Sequence, residues 1–284
     1  GMNGSGGGIY IRCRTFAGTD GIVRADASSA QAAWSLGGGG RIAVVYDPAA
    51  QAAMAKPRVI FSVRAGMGYQ AYTPTDIGTI YFSDGALLDG TWMPHVGQIW
   101  MAPGRWDTAS LFVSNVWIRL AAAGFRLNVS NDVTVTGSGR LQLGGNRCFT
   151  NSWPDAYEFL ASETEGPSMT VGGNLDLTDG GTLTVYAGIT NGTATNYGAQ
   201  VTVQGNIVVA SNSWIYPHSH PTNGGSVVFR AGNFIVLPTT SGGVCADYRG
   251  FRKAGQDAQG WGPGGGGTDS GGGYGGTGSW FGFA

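Results

Sequence analysis

The chain repeats one stretch four times, as Leu127-Asn-Val-Ser-Asn131-Asp-Val-Thr-Val135, Met169-Thr-Val-Gly-Gly-Asn174-Leu-Asp-Leu177, Val201-Thr-Val-Gln-Gly-Asn206-Ile-Val-Val209 and Val228-Phe-Arg-Ala-Gly-Asn233-Phe-Ile-Val-Leu237. Each copy contains a short strand pattern, a small turn that closes on Asn, and a second strand pattern. The Asn residues lie 27 to 43 positions apart, so a constant unit alternates with loops of variable length. This organisation is typical of a solenoid, in which each unit packs mainly on its neighbours.

The repeats predict an all-β fold, a right-handed parallel β-helix (β-solenoid), with the four Asn residues at equivalent corners. Every second position along the second strand of each copy is apolar, and these positions predict the side chains that face the interior. These are Val133, Val135, Leu175, Leu177, Ile207, Val209, Ile235 and Leu237. A β-sandwich or jelly roll is the alternative, because a single strand-turn-strand unit such as residues 174–186 also fits a hairpin.

The first half of the chain continues the strand rhythm. Strands bounded by Gly, Pro or Asp are predicted at residues 9–14, 22–26, 41–46, 59–64 and 79–83. Asp47 can cap a helix that Pro48 begins and Pro57 stops. Residues 90–110 combine three Trp with two Pro, and they fit either a strand pair or a capping loop.

One inserted segment interrupts the strand pattern of a β-helix domain that spans residues 1–253, and a second segment follows this domain. Residues 146–168 hold all three glutamates of the protein and are predicted to form an inserted loop. Their carboxylates suit Ca²⁺, but the spacing matches no known calcium loop, which favours a solvated segment. Residues 254–284 form a glycine-rich tail with five aromatic side chains. Because exposed aromatic surface is unfavourable in water, we expect part of this tail to dock and cap the solenoid.

Composition limits the classes of partner and cofactor. The chain carries 16 basic and 17 acidic residues and a formal net charge of −1, which argues against nucleic acid and anionic lipid as partners. No apolar run reaches the length of a membrane-spanning helix, so no membrane insertion is expected. Three widely spaced cysteines form no zinc or redox motif, and no metal or cofactor is predicted. No signal peptide follows Met2, so export would depend on a signal outside this sequence.

The chain resembles glycine-rich, repeat-containing bacterial surface proteins of predicted parallel β-helix type. The segments that carry the resemblance, besides the repeats, are Gly260-Trp-Gly-Pro-Gly-Gly-Gly-Gly267, Ser270-Gly-Gly-Gly-Tyr-Gly-Gly-Thr-Gly278, Gly4-Ser-Gly-Gly-Gly-Ile-Tyr-Ile-Arg12 and Gly37-Gly-Gly-Gly-Arg-Ile-Ala-Val44. Residues 85–120 match least. The resemblance implies a secreted or cell-surface protein with an adhesin-like or structural role, in a family without established catalytic residues.

Aromatic side chains provide the strongest candidates for a binding site. Nine Trp and eleven Tyr occur on a sparsely charged chain, and such rings can stack on sugars, although core packing explains most of them. Trp214 and Tyr216 alternate with Ile215, so both point outward if Ile215 points inward. These two residues predict a non-catalytic site for a polysaccharide or a cell-surface glycan.

Two histidines follow directly in the sequence. Alternation places His218 and His220 on one face of an extended segment, where they are further candidates for ligand binding. A metal pair is the other interpretation, but zinc needs a third ligand and His95 is distant in sequence. Pro217 and Pro221 indicate a loop, which favours two exposed histidines without a metal.

A polysaccharide-cleaving enzyme, either a lyase or a glycosidase, is the alternative function. It would require paired carboxylates with a basic residue nearby. Asp176 and Asp179 are the available pair, with Arg140 or Arg230 as the base. Asp179 has a sufficient local role in its turn, since an Asp side chain can bond its own backbone there. The sequence therefore favours a binding or structural module without catalytic residues.

Overall fold

The structure is a computed structural model that describes residues 4–28, 37–66, 75–145, 147–148, 158–159, 165–189, 197–237, 241–251 and 262–263. Most of the predicted tail at 254–284 and most of the insertion at 146–168 lie outside the described residues. Within the described ranges, no helix has the length and hydropathy needed to cross a membrane.

Strands dominate the described residues. In chain order they are β1 (Gly8–Arg12), β2 (Thr19–Arg24), β3 (Arg41–Val45), β4 (Arg58–Ser62), β5 (Thr79–Phe82), β6 (Gly97–Met101), β7 (Arg105–Thr108), β8 (Leu111–Ser114), β9 (Trp117–Leu120), β10 (Arg126–Val129), β11 (Val133–Thr136), β12 (Arg140–Leu143), β13 (Arg147–Cys148), β14 (Glu158–Phe159), β15 (Ser168–Val171), β16 (Leu175–Leu177), β17 (Thr182–Tyr186), β18 (Ala199–Val203), β19 (Asn206–Val209), β20 (Trp214–His218), β21 (Val227–Arg230), β22 (Asn233–Val236) and β23 (Gly243–Val244). One short α-helix, α1, spans Pro48–Ala52, and a 3-10 turn spans Gly85–Leu87.

Three parallel sheets contain most of these strands. The first sheet has the spatial order β1-β3-β5-β6-β9-β12-β17-β20-β23, the second β21-β18-β15-β10-β7, and the third β22-β19-β16-β11-β8. Strands β2 and β4 form a separate parallel pair. In the part of the chain that the structure describes, antiparallel pairing is limited to β13 with β14 and one isolated bridge.

From β7 onward the chain visits the second, third and first sheets in turn and then begins again. Strands β10, β11 and β12 of one pass pair in parallel with β15, β16 and β17 of the next pass. This topology fits the predicted all-β parallel solenoid. It does not fit a sandwich or a jelly roll, whose neighbouring strands are antiparallel.

The interior is built from columns of apolar side chains, one from each pass. In the third sheet Val133 aligns with Leu175 and Ile207, and all three are fully buried. The next inward column contains Val135, Leu177 and Val209, which are buried as completely. The predicted inward positions are therefore confirmed in these three passes, although only the first two alternate apolar with polar residues, since Val208 in the third is also apolar.

The fourth repeat differs from the prediction by one residue. Strand pairing aligns Phe234 with Ile207 and Val236 with Val209, so Ile235 and Leu237 do not continue the inward columns. The run Phe234-Ile-Val-Leu237 is apolar throughout and has no alternation that could mark a face. Strand β22 is also the last strand of its sheet, and its side chains are exposed.

The repeat Asn residues form a ladder at the turn between the second and third sheets. The Asn174 side-chain oxygen accepts a hydrogen bond from the Asn206 backbone N–H at 2.8 Å, and Asn233 Nδ2 donates to Asn206 Oδ1 at 2.8 Å. In the first repeat the ladder position is held by Asp132, whose Oδ1 accepts from the Asn174 N–H at 2.7 Å. Asn131 lies one position earlier in the chain, so the prediction that it occupies the same corner as the other three Asn residues is wrong.

Close packing of this ladder explains the Gly-Asn signature. A Cβ atom on Gly205 would lie 2.3 Å from Asn174 Oδ1, and one on Gly173 would lie 2.1 Å from Asp132 Oδ1. Asn131 is in line with these glycines, because its carbonyl accepts from the Gly173 N–H. The number of residues between the turn and the following strand therefore predicts the register better than the presence of an Asn residue does.

The first half of the chain follows the predicted local structure. Asp47 caps α1 and accepts from the N–H groups of Ala49 and Ala50 at 3.0 and 3.2 Å. Strands β6 and β7 occupy residues 97–108, but they belong to different sheets and do not pair with each other. The region therefore contributes to two faces of the solenoid rather than forming a cap.

Candidate functional site

The aromatic pair of β20 lies on the outer face of the first sheet. Trp214 and Tyr216 flank Ile215, whose side chain is fully buried, and both rings are partly exposed. The rings are nearly parallel, with an interplanar angle of 10° and centroids 5.9 Å apart. Because side chains alternate along a strand, the burial of Ile215 directs both rings away from the interior.

Arg249 completes one end of this aromatic surface. Its guanidinium carbon lies 4.2 Å from the centroid of the Tyr216 ring, a distance suited to a cation–π contact. Its Nε–H donates to His218 Nε2 at 3.2 Å, and Nη1 donates to the Asp247 carbonyl at 2.6 Å. No sequence pattern indicates a role for Arg249, because this residue follows the last strand and belongs to no repeat.

The two histidines occupy different environments. His218 is the last residue of β20, and its ring lies 4.5 Å from that of Tyr186. His220 is buried, and its Nδ1 accepts from the Asn223 N–H at 3.1 Å within a turn. Burial lowers the pKa of His220. The expected pair of exposed histidines is therefore corrected, because the strand ends at His218 and the chain then turns inward.

The described contacts of the third histidine, His95, do not include either of the other two histidines. His95 is buried, and its Nδ1 accepts a hydrogen bond from the Phe61 N–H at 3.2 Å. The ring also packs against Phe61 and Trp92. Cys13 and Cys245 are free thiols. Within the described ranges, no three His, Cys, Asp or Glu side chains are grouped so that they could hold a metal ion.

Acidification is expected to destabilise the fold through His95. Burial lowers its pKa from 6.5 to about 4, so the unfolded state binds this proton first as the pH falls. The stabilisation is present above pH 6.5 and is lost towards pH 4, by roughly 3 kcal/mol in total. Denaturant unfolding of wild type and His95→Gln at pH 7, 5.5 and 4 measures this contribution, since Gln accepts a hydrogen bond but does not titrate there. Identical pH dependence of the two proteins would contradict it.

Among the described residues, the carboxylate of Asp176 does not converge with either of the basic residues proposed as its partner. Asp176 lies on β16 of the third sheet, whereas Arg140 lies on the first sheet and Arg230 on the second. Asp179 sits in the following turn with φ 51° and accepts from the Thr136 hydroxyl at 3.3 Å. Burial, and then the charge of Asp132, raises the pKa of Asp176.

A row of outward side chains crosses four adjacent strands of the first sheet. Its members, in spatial order, are Trp117, Arg140, Thr182 and Trp214. The inward neighbours of these residues are fully buried, which fixes the row on the outer face. Trp117 was not predicted as a site residue, and Arg140 was not predicted to lie near Trp214, because loops of variable length separate these strands.

A second row lies beside the first and is largely buried. Arg119 aligns with Gln142, Thr184 and Tyr216 across the same four strands. Arg119 is completely buried and forms two hydrogen bonds with the Asp76 carboxylate, at 2.8 and 3.0 Å. Its Nε–H donates to Gln142 Oε1 at 2.8 Å. This network supports the part of the sheet from which the outward row projects.

The described residues thus define an all-β protein of stacked parallel coils, with aromatic and cationic side chains on the outer face of its first sheet. Comparison of the chain with protein-family models, with curated proteins and with solved structures gave no match. The geometry of this face is therefore the basis for a functional proposal.

Proposed function

We propose that the chain is a right-handed parallel β-helix module of a secreted or cell-surface bacterial protein, and that it binds glycans without cleaving them. The observation that carries the proposal is the near-parallel, partly exposed pair formed by Trp214 and Tyr216. A sheet holds such rings in fixed positions, and rigid amphipathic rings contribute contact area at a low cost in conformational entropy. The adhesin-like resemblance and the repeat architecture support the same role and localisation.

Absence of a convergent catalytic set also supports a binding role. Among the described residues, Asp176 and Asp179 form no ion pair with Arg140 or Arg230. The enzyme alternative retains one favourable observation, the raised pKa of Asp176, which is a property of many general acids. An experiment that follows both binding and product release separates the two functions.

The Trp214→Ala variant is expected to weaken glycan binding about tenfold, because it removes one of the two stacked rings. Glycan arrays identify the ligand, and titration of that ligand measures its dissociation constant. Tyr10→Ala is the matched control, since Tyr10 is an exposed aromatic on β1, seven strands away in the same sheet. Equal loss of binding in both variants, or no binding by wild type, would contradict the proposal.

A reducing-end assay on the same polysaccharides tests for catalysis. We expect no release of product from wild type. Release that disappears in Asp176→Asn but persists in Trp214→Ala would replace the binding function with the polysaccharide-cleaving alternative.

A further inference from the structure

The outward row on the first sheet carries an exposed positive charge between two partly buried tryptophans. Trp117 and Trp214 lie at its ends, on strands β9 and β20, with β12 and β17 between them. Neighbouring strands are about 4.8 Å apart, so the two tryptophans are about 14 Å from each other. Arg140 lies next to Trp117, and its guanidinium carbon is 5.5 Å from the centroid of that ring.

Arg140 differs from the neighbouring arginine in its electrostatic environment. Arg119 is buried and neutralised by Asp76. Arg140 is exposed, and the ion pairs of the described residues do not include it. The outward positions of these four strands are Trp117, Arg119, Arg140, Gln142, Thr182, Thr184, Tyr186, Trp214, Tyr216 and His218, and none of them carries an acidic side chain. The face therefore presents a cation that the described carboxylates leave without a counter-charge.

We infer that the ligand of this face is an anionic polysaccharide, whose sugar rings stack on Trp117 and Trp214 while its carboxylate or sulfate group binds Arg140. This inference rests on the proposed function and names the class of glycan. A guanidinium matches a carboxylate or a sulfate with two parallel hydrogen bonds, and such charge-assisted bonds are stronger than those to neutral hydroxyls. The contact with Trp117 restricts the Arg140 side chain and so reduces the entropy lost on binding. Arg249, on Tyr216, adds a second cation at the far end of the face.

A matched pair of polymers tests the charge requirement directly. Polygalacturonate and its carboxyl-reduced form share one backbone and differ only in the charged group. We expect wild type to bind polygalacturonate at least tenfold more tightly at low salt. Arg140→Gln should reduce this preference to about twofold, because it weakens binding of polygalacturonate far more than binding of the reduced polymer, whereas Arg140→Lys should retain part of the preference. Arg126→Gln, at an exposed arginine of the second sheet, should bind like wild type.

The outcomes distinguish this inference from the function on which it rests. Equal affinity of wild type for the two polymers, with loss of both in Trp214→Ala, would overturn the anionic specificity and leave glycan binding in place. If Arg140→Gln and Arg126→Gln reduced the preference for polygalacturonate equally, that preference would reflect overall charge. This result would also overturn the inferred role of Arg140. Binding of neither polymer, together with binding of an uncharged glycan on the array, would do the same. Absence of binding to every glycan would overturn both proposals.

Discussion

Val135→Asp is expected to lower the free energy of unfolding by about 4–5 kcal/mol, or to prevent folding altogether. Val135 is fully buried in the third sheet, between Val113 of the preceding pass and Leu177 of the following pass. Both neighbours are apolar and fully buried, so an aspartate at this position would have neither water nor a charged partner. The column structure of a solenoid makes the substitution affect three passes at once.

Equilibrium unfolding in denaturant measures the loss, and Thr170→Asp is the control. Thr170 is exposed on β15, between the buried Met169 and Val171, so its side chain projects outward from the solenoid. Its substitution should change the free energy of unfolding by no more than about 0.5 kcal/mol. A Val135→Asp protein that is as stable as this control would contradict the inward orientation of the column.

The parallel architecture was predictable because the repeats alternate. In the first two repeats the strand after the turn alternates apolar with polar residues, and this period identifies one inward face. The third repeat is apolar throughout from Ile207 to Val209, but its inward residues keep the same spacing from the turn. The fourth repeat lacks alternation, and its predicted register was wrong by one residue. The ladder shows a related difficulty. Asp132 accepts a backbone hydrogen bond from the next pass, as Asn174 does one pass later. Because Asn131 is the same residue type as Asn174, the sequence suggested Asn131 rather than Asp132 as its equivalent.

The candidate site was only partly predictable. Trp214 and Tyr216 are two residues apart, so local alternation was sufficient to place them on one face. Trp117 and Arg140 reach the same row only through strand pairing across passes, and the length of the intervening loops gives no register. Arg249 depends on a turn after the last strand. For His220, the sequence could not reveal that the turn encloses the ring, since this burial depends on tertiary packing.

Asp76→Asn is expected to lower the free energy of unfolding by about 3 kcal/mol, because it leaves the buried guanidinium of Arg119 without its counter-charge. The substitution keeps an oxygen that can accept the hydrogen bond from the Ile77 N–H, so it changes the charge with little loss of local structure. Asp107→Asn is the control, since it disrupts the exposed and solvent-screened ion pair with Arg105, where the loss of stability should be much smaller.

A double-mutant cycle separates the ion pair from simple loss of packing. Arg119→Met removes the buried charge, so the combination with Asp76→Asn should be more stable than Asp76→Asn alone by at least about 1 kcal/mol. Salt should have little effect on this coupling, because water and ions do not reach Arg119. Additive losses in the cycle would instead mean that the two side chains contribute independently. The network beneath Trp117 would then be held by packing rather than by charge.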